Sequence, residues 1–217
     1  MVAAPMQWCL HNGERKTGVT TMLMDAGMDT GPMLVEETIP IRLTDDAWDV
    51  AAKLSELSAD LLIATLQKLH QQMIRPVPQE EDRATYAPLI QKADYVLDWQ
   101  TSAKAIHDKV RGFYPNAVTQ FRQSPLKVSV TFPLGEAYWL QLPDELSSVQ
   151  ALYAAAELDE SADPGSVVAI LKNYGPVIQT GEGHLLLLEV KPAGKRALSG
   201  WDFANGSRVQ GGEKLGQ

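Results

Sequence analysis

The sequence predicts a two-part chain, an α/β segment followed by a smaller domain built mainly of short β-strands. Three observations carry that reading. Two extended stretches and then a long amphipathic helix fill the first third of the chain. A proline- and charge-rich run at 75–83, RPVPQEEDR, breaks the pattern. Beyond it, one helical stretch precedes six short apolar or β-branched runs separated by turn residues. A chain of 217 residues accommodates one large domain or two small ones.

Residues 4–11, APMQWCLH, read as a short helix that stops at the turn dipeptide Asn12-Gly13. Residues 18–24, GVTTMLM, are β-branched and apolar, hence a strand. The next stretch, DAGMDTGP, cannot continue a strand. Residues 33–41, MLVEETIPI, are extended again, with Pro40 marking an edge or the strand's end. Thr44 is the expected cap of a helix from about 46 to 73, with acidic residues at its positive end. Val50, Leu54, Leu57, Leu61, Ile63, Leu66 and Leu69 recur along it at mostly helical spacing.

In the second part a helix is expected at 101–112, and strands at 117–122, 126–132, 137–142, 166–171, 176–180 and 184–190. Residues 143–165 form an acidic, Ala- and Ser-rich interruption that ends in a loop near Glu157–Asp163. Ser199 is the expected cap of a last short helix, and the polar tail from Gly206 reads as frayed. A helix followed by five or six short strands is the composition of a small, partly open barrel such as the OB-fold.

Composition excludes several classes. Apolar residues make up 45% and charged residues 21%, as in ordinary globular proteins. No run of 18 apolar residues supplies a membrane-spanning helix, and no basic n-region precedes the first apolar run. The single cysteine, Cys9, excludes an internal disulfide framework and the usual structural zinc clusters, so no metal is expected. A cytoplasmic protein is the expectation. The net charge of −8 argues against a simple nucleic-acid coat. It is unevenly spread. Residues 1–84 carry 7 basic and 13 acidic residues, and residues 85–217 carry 12 and 14. From Lys104 to Lys127, five basic residues stand against Asp108 alone, and Lys191, Lys195 and Arg196 form a second cluster. Such runs are either solvated faces or an anion-binding surface.

The segment Met24–Pro32 is the most informative. Asp25 and Asp29, four apart in a glycine-containing turn, do not share a helix face and so should do different work. Both can be turn formers that bond their own backbone. Alternatively, Asp29 is a carboxylate aimed from the end of a rigid strand to orient a histidine or a water.

The stretch APMQWCLHNGERKTGVTTMLMDAGMDTGPML resembles the later part of the catalytic domain of the methionyl-tRNA formyltransferase family. Downstream, TYAPLIQKADYVLDWQTSAKAIHDKVRGFYPNA resembles the start of that family's C-terminal domain, and PGSVVAILKNYGPVIQTGEGHLLLLEVKPAGKRALSGWDFANG its end. The resemblance implies transfer of a formyl group from 10-formyltetrahydrofolate to the amino group of methionyl-initiator-tRNA, by an Asn, a His and an Asp. The Asp carries over to Asp29.

The family's Asn-x-His and Ser-Leu-Leu-Pro segments lie upstream of an Arg-Gly-Ala-Ala-Pro segment, onto which Met1–Pro5 falls. The chain is therefore expected to be a C-terminal portion, inactive alone. Residues 1–74 would be an incomplete Rossmann-like formyltransferase domain, 75–94 a linker, and 95–217 an OB-like domain that contacts tRNA. His11, His70, His107 and His184 lie in no such context and are expected as surface or capping residues. The resemblance makes Lys104, Lys109, Arg111, Lys195 and Arg196 the candidate tRNA contacts, and the initiator tRNA the implied partner. The alternative reading is a non-catalytic tRNA-binding module.

Overall fold

A computed structural model of the chain describes residues 3–159 and 161–216. The chain divides into two compact units, residues 1–10 with 14–90, and residues 11–13 with 91–217.

Helix α1 (Pro5–His11), which belongs to the first unit as far as Leu10, precedes that unit's strands β1 (Lys16–Met22) and β2 (Met33–Pro40). The strands pair antiparallel, with Val19 opposite Glu37 and an irregularity at Met22. Among the described residues the first unit holds this antiparallel ribbon and no parallel ladder. The reason is connection length. The loop between the strands carries no crossover helix, so the chain can only turn back on itself.

Helix α2 (Ala47–His70) packs on the ribbon. Its cap is Asp46 rather than Thr44. The Asp46 carboxylate accepts from the backbone N–H of Trp48 (2.7 Å) and Asp49 (3.0 Å), and Asp49 accepts in return from the Asp46 N–H. Asp45 turns inward instead and pairs with Lys53 at 2.6 Å. Leu10, Ala47, Val50 and Leu54 form the small core, against which Val19 and Ile39 pack. Further along, Leu61 and Thr65 are buried, while Leu62, Ile63 and Leu66 stay more than half exposed.

The proline-rich run is extended and tied down at one point. Val77 and Met33 exchange backbone hydrogen bonds of 2.8 Å in both directions. Pro76 and Pro78 flank Val77 and donate nothing, so the pairing is a single rung.

The second unit is a larger structure. Helix α3 (Ala103–Gly112) starts at Ser102, whose hydroxyl accepts from the Ala105 N–H. The strands are β3 (Val118–Phe121), β4 (Ser124–Leu134), β5 (Val167–Leu171), β6 (Gly175–Gln179), β7 (His184–Pro192) and β8 (Leu198–Ser199). They form one sheet in the order β3-β4-β7-β6-β5, with β8 beside β7 and every strand pair antiparallel. The expected strand at 137–142 is absent. Gly135, with φ 141°, ends β4, and Glu136–Trp139 winds into the short helix α4. No strand lies alongside to accept an alternating pattern there, and Leu140 is 99% exposed. Helix α5 (Val149–Ala154) occupies the acidic interruption; Glu160, in the expected loop, lies outside the described residues.

Helix α6 (Gly200–Ser207) starts at Ser199, whose hydroxyl accepts from the Asp202 N–H. The tail after it is not frayed. Val209 and Leu215 are buried in the core with Trp99, Ile106, Val128, Leu187 and Val190. Its backbone bonds both outer strands: Val167 N–H of β5 donates to Glu213 O (2.8 Å), and Gly216 N–H donates to Gln120 O of β3 (2.9 Å). The outer strands β3 and β5 do not pair with each other, and the tail lies between them. Two apolar residues in a polar stretch suffice to dock it.

Candidate functional site

The loop between β1 and β2 separates its two aspartates sharply. Asp25 is a turn former: its Oδ1 accepts from the Gly27 N–H (3.0 Å) and from the Thr30 hydroxyl (2.8 Å). Leu23 N–H donates to Pro32 O at 3.0 Å and closes the loop's base. Both glycines are required by close approach. A Cβ on Gly27 would lie 2.1 Å from Thr30 Oγ1, and one on Gly31 would lie 1.7 Å from Leu23 O. Asp29 differs. It sits exposed near the tip with φ 60°, in the left-handed region that few residues other than glycine, asparagine and aspartate visit. Its carboxylate has no hydrogen-bond or ion-pair partner among the described residues. The strand ends thus present one open carboxylate on a loop whose backbone is held by the other.

Gln79, which the sequence reading left in the linker, belongs to this loop. Its side-chain N–H groups donate to Asp29 O (2.8 Å) and Gly31 O (2.7 Å). The sequence signal was only a polar residue after two prolines.

The candidate tRNA contacts divide. On α3, Arg111 is buried, and its guanidinium donates to Asp108 Oδ1 at 2.8 Å. Lys104 reaches the other oxygen of Asp108 at 2.5 Å. Arg111 is therefore corrected from a surface contact to a structural ion pair, because a cation this buried needs a carboxylate beside it. Lys109 donates to Val96 O at 2.7 Å; burial pushes its ammonium below the usual lysine range, against the pull of Asp94 and Asp98. Lys195 and Arg196 stand exposed in the turn between β7 and β8, with no partner among the described residues.

The sequence reading missed the strand pairing that extends this second cluster. Lys127 on β4 stands directly opposite Lys191 on β7. Their neighbours Val128 and Val190, also paired, are fully buried, so the two lysines occupy the face away from the core. Like charges opposed in this way repel. Lys127 donates to Asn116 Oδ1 at 2.9 Å, and Lys191 has no partner among the described residues. Lys127, Lys191, Lys195 and Arg196 make a surface where an anion would relieve that repulsion.

Of the four histidines only His107 is fully buried, against the expectation of a surface or capping residue, while His11 and His184 are half-buried. His107 is buried and its Nδ1 lies 2.9 Å from Thr131 Oγ1; it lies on the α3 face that carries Ile106 and Val110. His184 lies 2.7 Å from Tyr153 Oη through Nδ1, and His11 stacks on Phe113 at 5.1 Å. His70 is exposed at the end of α2. Among the described residues no group of three or more His, Cys, Asp or Glu could hold a metal ion, and no helix is long and apolar enough to cross a membrane.

Comparison with known proteins gives a consistent result. Residues 89–208 match the family described as "Formyl transferase, C-terminal domain", and residues 3–66 match that described as "Formyl transferase". Proteins named methionyl-tRNA formyltransferase are similar over 99% of the chain, at 54% identity in Cyanothece sp., 57% in Nostoc sp. and 58% in Trichormus variabilis. The chain spans only 62–64% of the length of these relatives. Among solved structures, HypX from Aquifex aeolicus in complex with tetrahydrofolic acid is similar in fold, with a TM-score of 0.64 at 18% identity over 98% of this chain and 34% of that one. An N-formyltransferase from Helicobacter canadensis, in complex with folinic acid and dTDP-3-aminofucose, has a TM-score of 0.59 at 16% identity, over 85% and 60%. With its β1–β2 loop inside the first matched segment and its sheet unit inside the second, the chain belongs to the formyl transferase family.

Proposed function

We propose that the chain is the later portion of a methionyl-tRNA formyltransferase. In this reading Asp29 is its contribution to chemistry, and the basic surface of the second unit is its contribution to tRNA binding. The observation that carries the reading is the open Asp29 carboxylate on a loop that glycine packing and Asp25 hold rigid. It lies within a segment matched by the formyl transferase family.

The family's 10-formyltetrahydrofolate, when bound, supplies the formyl carbon. The amine that receives it must be neutral to attack and must lose a proton. A carboxylate at the end of a strand, unpartnered in its own chain, suits that need: it can accept a hydrogen bond from an ammonium or a water and hold it in line. Asp29 fits that part.

The second unit is read as an OB-like domain, since its antiparallel strands wrap a core that the tail completes. Residues 75–94 are read as the connector. Lys195 and Arg196, joined by Lys127 and Lys191, would meet the tRNA backbone, where contacts position the RNA without reading its sequence. Lys104 and Lys109 would add to it only at the margin, since their charges are already engaged. The enzyme is read as cytoplasmic.

The test is formylation of methionyl-initiator-tRNA by the 217-residue chain alone and by the chain completed with the upstream third of a relative. No turnover alone, and turnover after completion that Asp29→Asn abolishes, is the expected result. A completed chain that formylates an amino sugar nucleotide instead would overturn the substrate. Salt-sensitive tRNA binding with no turnover in any form would leave the binding-module reading.

A further inference from the structure

We propose that Gln79 is a positioning residue for Asp29: its side-chain amide clamps the backbone on both sides of Thr30 and fixes the direction of the Asp29 carboxylate. The inference rests on reading Asp29 as the reacting carboxylate.

A glutamine amide has two N–H donors, and here both are used, on Asp29 O at 2.8 Å and Gly31 O at 2.7 Å. The orientation is forced, since the amide oxygen in that place would face two carbonyl oxygens. The two accepting carbonyls belong to residues i and i+2, so one side chain spans the tip of the loop. Between them the backbone must hold Asp29 at φ 60°, a conformation that aspartate adopts at a cost and keeps only where its surroundings impose it.

Asp25 secures the N-terminal half of the loop, through Gly27 N–H and the Thr30 hydroxyl. The carbonyls of the C-terminal half are held by Gln79. The clamp has its own anchor. Val77, two residues earlier, exchanges backbone hydrogen bonds with Met33, the first residue of β2. Pro76 and Pro78 restrict the dihedrals around that rung. Loop and clamp are thus rooted in the same strand, and the aim of Asp29 is set from a segment nearly fifty residues downstream.

No shorter or anionic side chain does this. Asparagine cannot span both carbonyls from the same backbone position, glutamate would present oxygen to oxygen, and leucine fills the space without donors. Gln79 is exposed, so these changes leave the packing of the first unit intact.

The test has two readouts. In the 217-residue chain, NMR couplings and carbon shifts report φ at Asp29. Gln79→Leu and Gln79→Glu should move Asp29 and Gly31 out of their single conformation, while the Val19–Glu37 strand pairing persists. An unchanged Asp29 signal in both variants overturns the clamp. In the chain completed with the upstream third of a relative, Gln79→Leu should lower kcat about 10²-fold with KM for both substrates little changed, the cost of misplacing a reacting group by about an ångström. In the Asp29→Asn background the same change should cost nothing further, because its effect runs through that carboxylate. An equal additional loss in that background overturns the inference and marks Gln79 as generally structural. If Asp29→Asn itself leaves kcat unchanged, it is the reading of Asp29 that fails, and the NMR result still decides whether the clamp exists.

Discussion

The two units put their apolar residues to different use. In the second, a helix, a six-stranded sheet and the tail enclose one continuous core, with Val128, Leu187 and Val190 fully buried. In the first, a two-stranded ribbon can cover only one side of a 24-residue helix. Its core is Leu10, Ala47, Val50 and Leu54, and a second apolar stripe on α2 faces outward at Leu62, Ile63 and Leu66. The contrast teaches where each unit's information lies. The second encloses its apolar residues in one core, whereas the first leaves an apolar stripe of its long helix facing solvent.

The largest expected effect concerns the loop. In the completed chain, Asp29→Asn should lower kcat by ~10²–10⁴-fold while the fold holds, since asparagine tolerates the left-handed conformation. Asp25→Asn should cost far less, because its remaining amide oxygen still accepts from Gly27 and Thr30. Equal losses from the two variants, in steady-state kinetics, would erase the distinction between aimed and structural carboxylates.

Next come the cores. Leu187→Ala should destabilise the second unit by about 2–5 kcal/mol in denaturant unfolding, through a cavity in a closed core. Leu66→Ala should stay within about 0.5 kcal/mol, since its side chain is already 57% exposed. Limited proteolysis reads the same contrast: cleavage near Arg75 and Arg83 should come first and leave a resistant C-terminal fragment. A resistant N-terminal fragment would reverse the comparison.

A third contrast lies within the second unit. Lys191→Glu with Lys195→Glu should weaken tRNA binding and flatten its salt dependence by about one unit of log–log slope per lysine. Arg111→Ala should act on stability instead, by about 3–5 kcal/mol, because it strips a buried carboxylate of one of its two cations. Loss of tRNA affinity in Arg111→Ala at full stability would return α3 to the binding surface.

The smallest effect is one of pH. Burial, and then Lys109, push the His11 imidazole below its ordinary value near 6.5, with Asp108 and Asp94 opposing. The folded state therefore takes up its proton later than the unfolded chain. Its contribution is present above about pH 6.5 and is lost as pH falls through the lowered value. His11→Gln should reduce the drop in unfolding midpoint between pH 7.5 and 5, and an undiminished drop would assign that sensitivity elsewhere.

What the sequence disclosed follows the range of the interactions involved. The helices were legible because caps and periodicity act within a few residues: Ser102 and Ser199 cap as their positions require, and the choice of Asp46 over Thr44 is a matter of two residues. The loop was legible as a turn from its Asp and Gly content. The clamp was not, because a glutamine fifty residues away has no local signature. Arg111 misled for a similar reason, since a basic residue looks the same on a solvated face and beside a buried Asp108. At 137–142, the alternation in AYWLQL mimics a strand, and only the missing neighbour denies it.

The tail's placement sets a clock on folding. Because the backbone at 213–216 joins strands that were made before it, the second unit cannot be finished until those residues have left the ribosome. At roughly 5–20 residues per second, the sheet that β7 joins together waits about one to five seconds with its outer strands β3 and β5 unbridged. During that interval the protein is most open to capture by chaperones or by other nascent chains. A synonymous change that slows translation of codons 193–216 would lengthen the exposure without altering a single residue.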